Sequence, residues 1–181
     1  MHIRGSQIGE TRRYFIENVA KSHSFNYICK NLSNMSYVSA FYHVVINTHY
    51  RGPNLNLNYI DELYKYIVGI ASNYNSRIIR INGTNNHIHI LLDLHPSIAL
   101  SSLVREIKRS SSMWMKGNSN FAKFGGWGRE YFAFSCSSRE IEAVKHYIEN
   151  QRSHHGFVSF EDELCRIVER NGGNWSDYLL T

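Results

Sequence analysis

Proline is almost missing from this chain: Pro53 and Pro96 are the only two among 181 residues. No low-complexity run accompanies them, so neither a proline-rich spacer nor a disordered tail accounts for the sequence. Cysteine is equally sparse. Cys29, Cys136 and Cys165 are scattered and odd in number, which offers no disulfide framework and no paired zinc ligands and suits reduced thiols in a cytoplasm. No apolar run approaches the ~18–20 residues that cross a bilayer. The opening MHIRGSQIGETRRYF has no apolar core followed by small residues and does not read as a signal peptide. A GxxxxGK[ST] loop is absent too, and no nucleotide cofactor is expected.

What is present is a chain of 21.1 kDa, 43% hydrophobic and 13% aromatic, long enough for one ordinary domain with a real core. The net charge of +5 points weakly towards a polyanion. Its distribution says more. Residues 1–35 carry five basic side chains against two acidic ones, and residues 101–130 carry six (Arg105, Lys108, Arg109, Lys116, Lys123, Arg129) against Glu106 and Glu130. From Arg152 onward the balance turns acidic, which suits a packed or solvated tail rather than a DNA-binding one.

Three segments are expected. Residues 1–35 lack a clean period, open on MHIRGS in the manner of an expression tag, and precede Met35, a natural start; they read as an appended tag or leader with no chemistry. Residues 36–156 form the main domain and residues 157–181 a helical tail. Within the domain, Tyr37 to Asn47 is β-branched and aromatic and reads as a strand. Ile60, Leu63, Tyr64, Ile67, Ile70 and Ala71 recur at helical spacing in a helix that Asn58 is expected to cap, ending near Asn75. Residues 76–82 and 86–94 form two strands joined by the turn Gly83-Thr84-Asn85. A second helix runs from about Ser101 to Lys116, with Leu103, Ile107 and Trp114 as its apolar stripe. After a glycine-rich loop, Phe124 to Gly128, come a strand from Tyr131 to Cys136 and a helix opened by a Ser137–Glu140 capping box and ended near Gly156. A last helix covers Ser159 to Arg170. The order β1-α1-β2-β3-α2-β4-α3-α4 predicts an α+β fold: a ferredoxin-like or RRM-like sandwich, a mostly antiparallel sheet with helices on one face.

Two features carry chemistry. His87-Ile88-His89 lies on the third strand, where alternation sends both imidazoles to one face ~7 Å apart and Ile88 to the other. Such a pair can hold a divalent ion or merely form a polar surface. Tyr147 lies at the edge of the stripe formed by Ile141, Val144 and Ile148, with Gln151 one turn beyond; a tyrosine there can be a reacting group or a half-packed residue with its hydroxyl in water.

The runs TNNHIHILLDL, SSSMWMK, GGWGREYFAFS and HYIENQ, with the early strand YHVVINTHYR, resemble in order and spacing the single-tyrosine HUH transposases of the insertion sequence 200/605 type and their REP-associated relatives. The likeness extends from Ser36 to His155. It implies that His87 and His89 are the HUH metal ligands, that Gln151 is a third, that Tyr147 is the nucleophile, and that the substrate is single-stranded DNA bearing hairpins. It also implies a homodimer in which the tyrosine helix of one subunit completes the histidine site of the other. One tyrosine per chain holds one strand end, so moving a segment calls for two chains.

The chemistry follows from the residues. A divalent ion on two histidines neutralises a phosphodiester's charge and orients it for in-line attack. Two imidazoles and an amide oxygen suit Mg²⁺ or Mn²⁺. Attack by Tyr147 gives a 5′-phosphotyrosine and a free 3′-hydroxyl that can later rejoin DNA without ATP. Arg105, Lys108, Arg109, Lys116, Lys123 and Arg129 are expected to meet DNA phosphates, and Phe124, Trp127 and Tyr131 to stack unpaired bases. The expected setting is the cytoplasm, at the nucleoid. Three rival readings stand beside the transposase: a domesticated REP-hairpin nuclease, a non-catalytic ferredoxin-like single-stranded nucleic-acid-binding module, and a metal phosphodiesterase that uses water and ignores Tyr147.

Overall fold

The computed structural model describes residues 37–151 and 159–178. The chain divides into two compact units, residues 1–38 and 39–181, and every described element belongs to the second. The expected extension of residues 1–35 lies outside the described residues, as do His154, His155 and Gly156. Among the described residues, no helix is long and apolar enough to cross a membrane.

Among the described residues, besides short 3-10 turns, eight strands and α-helices follow one another: β1 (Phe41–Asn47), α1 (Ile60–Asn73), β2 (Arg77–Gly83), β3 (His87–Asp93), α2 (Leu100–Lys116), β4 (Phe132–Cys136), α3 (Ile141–Glu149) and α4 (Phe160–Arg170). The strands form one sheet in the order β2-β3-β1-β4, every neighbouring pair antiparallel. The first six elements alternate as β-α-β-β-α-β, which is the ferredoxin-like arrangement expected from the sequence pattern.

Alternation along the two central strands decides what each face of the sheet becomes. Val44 and Ile46 of β1 and Ile88, Ile90 and Leu92 of β3 point to one side. They meet Ile60, Leu63 and Ile67 of α1 and Leu103, Val104 and Ile107 of α2 in a single apolar cluster. Each of these side chains is within 1% of full burial, so each contributes on the order of 1.5–3 kcal/mol of transfer free energy. The opposite side carries His43, Val45, His87 and His89. The expected sandwich with its helices on one face therefore describes α1 and α2, whereas α3 and α4 lie on the other face. Phe160 and Leu164 of α4 pack on Val45, and Asn82 of β2 donates from its side chain to the carbonyls of Ile148 and Glu149 at 2.9 and 3.0 Å. That second face is polar because two histidines replace the aliphatic residues a fully buried strand would use.

Local signals set the element ends, with some differences from expectation. Helix α1 starts at Ile60 behind Tyr59, without a side-chain cap; Asn58 instead gives its N–H to the Asn56 side chain at 3.2 Å, which turns the chain ahead of the helix. The expected Ser137–Glu140 capping box does not open α3, whose N-cap is Glu140 itself without a side-chain cap; Ser137 and Glu140 instead close the turn ahead of it. The Glu140 carboxylate accepts from the Ser137 N–H at 2.8 Å and from the Ser137 hydroxyl at 2.6 Å. Ser159 caps α4, its hydroxyl accepting from the Asp162 N–H at 3.1 Å, and Glu161, Asp162 and Glu163 fill the first turn, where the helix dipole favours negative charge.

Candidate active site

The β2–β3 turn aims the first histidine. Gly83 ends β2 where a Cβ would meet the His87 carbonyl oxygen at 2.2 Å, so only glycine allows the two strands to close at this point. The turn residues then lock the ring. His87 Nδ1 lies 2.7 Å from Asn86 Oδ1, and the Thr84 hydroxyl donates to that same oxygen at 2.8 Å. The Asn86 amide group turns the other way, towards the Arg51 carbonyl at 3.4 Å. Because Oδ1 only accepts, Nδ1 of His87 carries the proton and Nε2 carries the lone pair.

His89 follows on the same face, the two ring centroids 4.9 Å apart. Both rings are fully buried. The third member comes from α4. Glu163 enters over the pair with Oε2 3.4 Å from His87 Nε2 and Oε1 3.4 Å from His89 Nε2. The three ligand atoms lie within 4.8 Å of one another. At His87 an acceptor nitrogen faces an acceptor oxygen, an arrangement that a cation or proton between them satisfies. Two imidazole nitrogens and a carboxylate also form a donor set suited to a divalent ion, so the residues present fit the metal expected from the HUH pattern.

Tyr147 on α3 and Gln151, just past the end of that helix, reach the same carboxylate. The Tyr147 hydroxyl donates to Glu163 Oε1, and the Gln151 amide donates to it at 2.8 Å. Tyr147 is half-buried, with its ring edge-on to His89 at 5.9 Å and to His43 at 6.0 Å. Burial, then the Glu163 carboxylate, pushes the phenol's pKa well above its ordinary value, with Gln151 and Arg170 opposing. Beside the hydroxyl, between β4, α3 and α4, lies a cavity of about 180 Å³ lined by His43, Phe134, Cys136, Tyr147 and Arg170 among others.

Sequence reasoning named His87, His89, Tyr147 and Gln151, and all four lie near the same Glu163 carboxylate. It missed two buried residues. Glu163 belongs to a segment read only as a packed or solvated tail, yet Phe160, Glu163, Leu164, Ile167 and Val168 are the buried positions of α4. A carboxylate inside an amphipathic helix's apolar stripe was the available signal. His43 sits on the face of β1 that also carries Val45, and its Nε2 is 2.9 Å from His89 Nδ1. Burial lowers the His43 pKa to about 4, against a smaller opposing effect of Glu163, so the ring is neutral near pH 7.

The expected DNA-binding residues lie elsewhere. Helix α2 packs on the apolar face, so its basic residues are across the sheet from the histidines. Arg105, Arg109, Lys116, Lys123 and Arg129 are exposed. Arg109 is engaged with Glu106, donating from Nε at 3.1 Å and from Nη2 at 2.9 Å. Lys108 donates to the carbonyls of Arg129 and Glu130 at 2.9 and 3.3 Å, and desolvation lowers its pKa. Two of the expected base-stacking aromatics are interior. Phe124 and Trp127 are 6% and 8% exposed and pack edge-on to one another at 5.3 Å, with the Trp127 indole donating to the Ser111 hydroxyl at 2.8 Å. Tyr131 packs partly buried against the same core.

Comparison with known proteins bears on the family and the fold. Residues 36–151 match the family described as IS200-like transposases. Among solved structures, a candidate transposase from Deinococcus radiodurans R1 is 25% identical, with a TM-score of 0.52 over 66% of this chain and 96% of that one. A REP-associated tyrosine transposase solved with a REP hairpin is 19% identical, with a TM-score of 0.53 over 69% of this chain and 74% of that one, which bears on the fold. No curated protein matches. The match across the whole histidine–tyrosine domain, with both histidines, Tyr147 and Gln151 inside it, means that the chain belongs to the IS200-like transposases.

Proposed function

We propose that this transposase cleaves and rejoins single-stranded DNA through a covalent 5′-phosphotyrosine on Tyr147, with a divalent ion held by His87, His89 and Glu163. The observation that carries the reading is the convergence of both Nε2 atoms and the Tyr147 hydroxyl on one buried carboxylate. A bound ion would supply charge neutralisation of the scissile phosphate and lower the barrier to in-line attack. The chain does the rest. His87 is held in one tautomer by Asn86. Glu163 accepts the phenol's hydrogen bond and so orients the nucleophile, and Gln151 holds that carboxylate in place from just past the end of α3. Attack forms the tyrosine O–P bond and breaks the bond to the 3′ oxygen, which leaves as a hydroxyl; the reverse exchange rejoins a strand with no external energy source.

Gln151 stands beside the ion in this reading, and Glu163 supplies the third ligand through a carboxylate oxygen. Imidazole donors favour Mn²⁺ over Mg²⁺. The substrate is single-stranded DNA with hairpins near the cleavage point, consistent with the REP hairpin held by the structural neighbour. The exposed cations Arg105, Lys116, Lys123 and Arg129, together with the anchored Lys108 and Arg109, contribute salt-sensitive phosphate contacts. Two chains act together, one for each strand end.

Covalent capture tests the reading. Labelled single-stranded hairpin DNA from the sequence flanking the gene is incubated with protein and Mn²⁺ and run on a denaturing gel. The expected product is a shifted adduct that disappears with EDTA, with Tyr147→Phe and with His87→Ala. Binding without an adduct supports a non-catalytic nucleic-acid module. Cleavage that survives Tyr147→Phe supports a water-using phosphodiesterase and overturns the covalent mechanism.

A further inference from the structure

We infer that His43 is a positioning residue for the metal site: through its hydrogen bond to His89 Nδ1 it fixes the tautomer in which His89 offers Nε2 to the ion. The inference rests on the metal reading of His87, His89 and Glu163.

The two histidine ligands are held by different devices. His87 is fixed by its own turn, through Asn86. His89 has no such turn and reaches across the sheet instead. Val45 of β1 is its direct partner in the register, and His43 is the diagonal neighbour on the same face. The Nε2–Nδ1 separation is 2.9 Å, the ring centroids are 5.1 Å apart and the planes differ by 30°. Rings in that relation meet edge to edge through the nitrogens rather than face to face. His43 is 5% exposed, with Phe134 and Tyr147 against its other edges.

The proton count follows from the geometry. For His89 to ligate through Nε2, its one proton must reside on Nδ1, which then donates to His43 Nε2. His43 must therefore carry its own proton on Nδ1. A second imidazole suits this task because it is donor at one nitrogen and acceptor at the other. An apolar residue at position 43 would leave the buried Nδ1–H of His89 without its acceptor, which disfavours the ligating tautomer.

Glutamine and methionine have similar reach, but only glutamine keeps a strong acceptor, the thioether sulfur being a weak one. Mn²⁺ binding to the full chain without DNA is measured by electron paramagnetic resonance of the free ion. His43→Met is expected to weaken Mn²⁺ binding ~10–100-fold, whereas His43→Gln stays within about threefold of wild type. Wild-type affinity in His43→Met, or an equal loss in both variants, overturns the inference. Absence of Mn²⁺ binding to the wild type overturns the metal reading and the role of His43 with it. A wild-type measurement covers the case in which either substitution prevents folding. In long-range ¹H–¹⁵N spectra of the Zn²⁺-loaded chain, His43 and His89 should both carry their protons on Nδ1. A His43 protonated on Nε2 in the loaded protein overturns the inference.

Discussion

The two faces of one strand take opposite solutions to burial. On β3, Ile88, Ile90 and Leu92 enter the layer under α1 and α2, where shape and transfer free energy suffice. One residue out of step, His87 and His89 are buried just as deeply, but there every polar atom needs a partner. The partners come from four separate places: Asn86 in the turn, His43 on β1, Tyr147 on α3 with Gln151 just past its end, and Glu163 on α4. The first face builds the domain from local periodicity. The second gathers residues far apart in sequence around one carboxylate, and it is where the proposed chemistry lies.

The contrast can be broken from either side. The largest effect is expected on the apolar face, where Ile90→Asp puts a charge into a layer without a counter-charge and costs more than ~4 kcal/mol, enough to remove the folded state. Circular dichroism and thermal melting read this directly. On the polar face, His89→Ala should abolish the DNA adduct while the domain still folds, losing no more than ~1–3 kcal/mol for the polar partners it leaves. Urea unfolding of that variant separates lost chemistry from lost structure. A smaller effect is expected at the rim, where Arg51 pairs with Glu161 at 2.5 Å and lies 5.7 Å over the Phe160 ring. Both charged side chains are about half-exposed, so Arg51→Ala should cost ~1 kcal/mol or less. The smallest change in stability is expected outside both faces. Lys116→Ala with Lys123→Ala should leave melting unaltered and lower the salt slope of single-stranded DNA binding by about 0.7 for each phosphate no longer neutralised.

The difference between the faces also explains what the sequence made legible. These eight strands and helices and their order were readable because each is set by spacing within a short window: Ile60 to Ala71 at helical period, His87 to Asp93 at strand period, Ser159 to Arg170 as a short last helix. The histidine pair and Tyr147 were readable because strand and helix periods put them on definite faces and their motif has a familiar form. Glu163 was not, since its closeness to His87 depends on where α4 docks after a separate segment. Net charge described that helix as an acidic tail and hid the one carboxylate turned inward. His43 was missed for a related reason: a lone histidine in a β-branched strand acquires meaning only once the register sets it diagonally from His89. Phe124 and Trp127 failed as base-stacking residues because a glycine-rich loop suggested exposure, whereas the Trp127–Ser111 hydrogen bond draws that loop into the core.

The most direct test of the site is the thermal melting of wild type and Glu163→Gln across a Mn²⁺ titration. Glutamine keeps the shape of Glu163 and can still accept from Tyr147, but it lacks the charge an ion needs. Wild type should gain about 2.7 kcal/mol at a hundredfold excess over the dissociation constant, seen as a rising Tm, while Glu163→Gln melts at a temperature independent of Mn²⁺. An equal rise in both proteins would contradict the role given to Glu163, and no rise in the wild type would contradict the metal site itself.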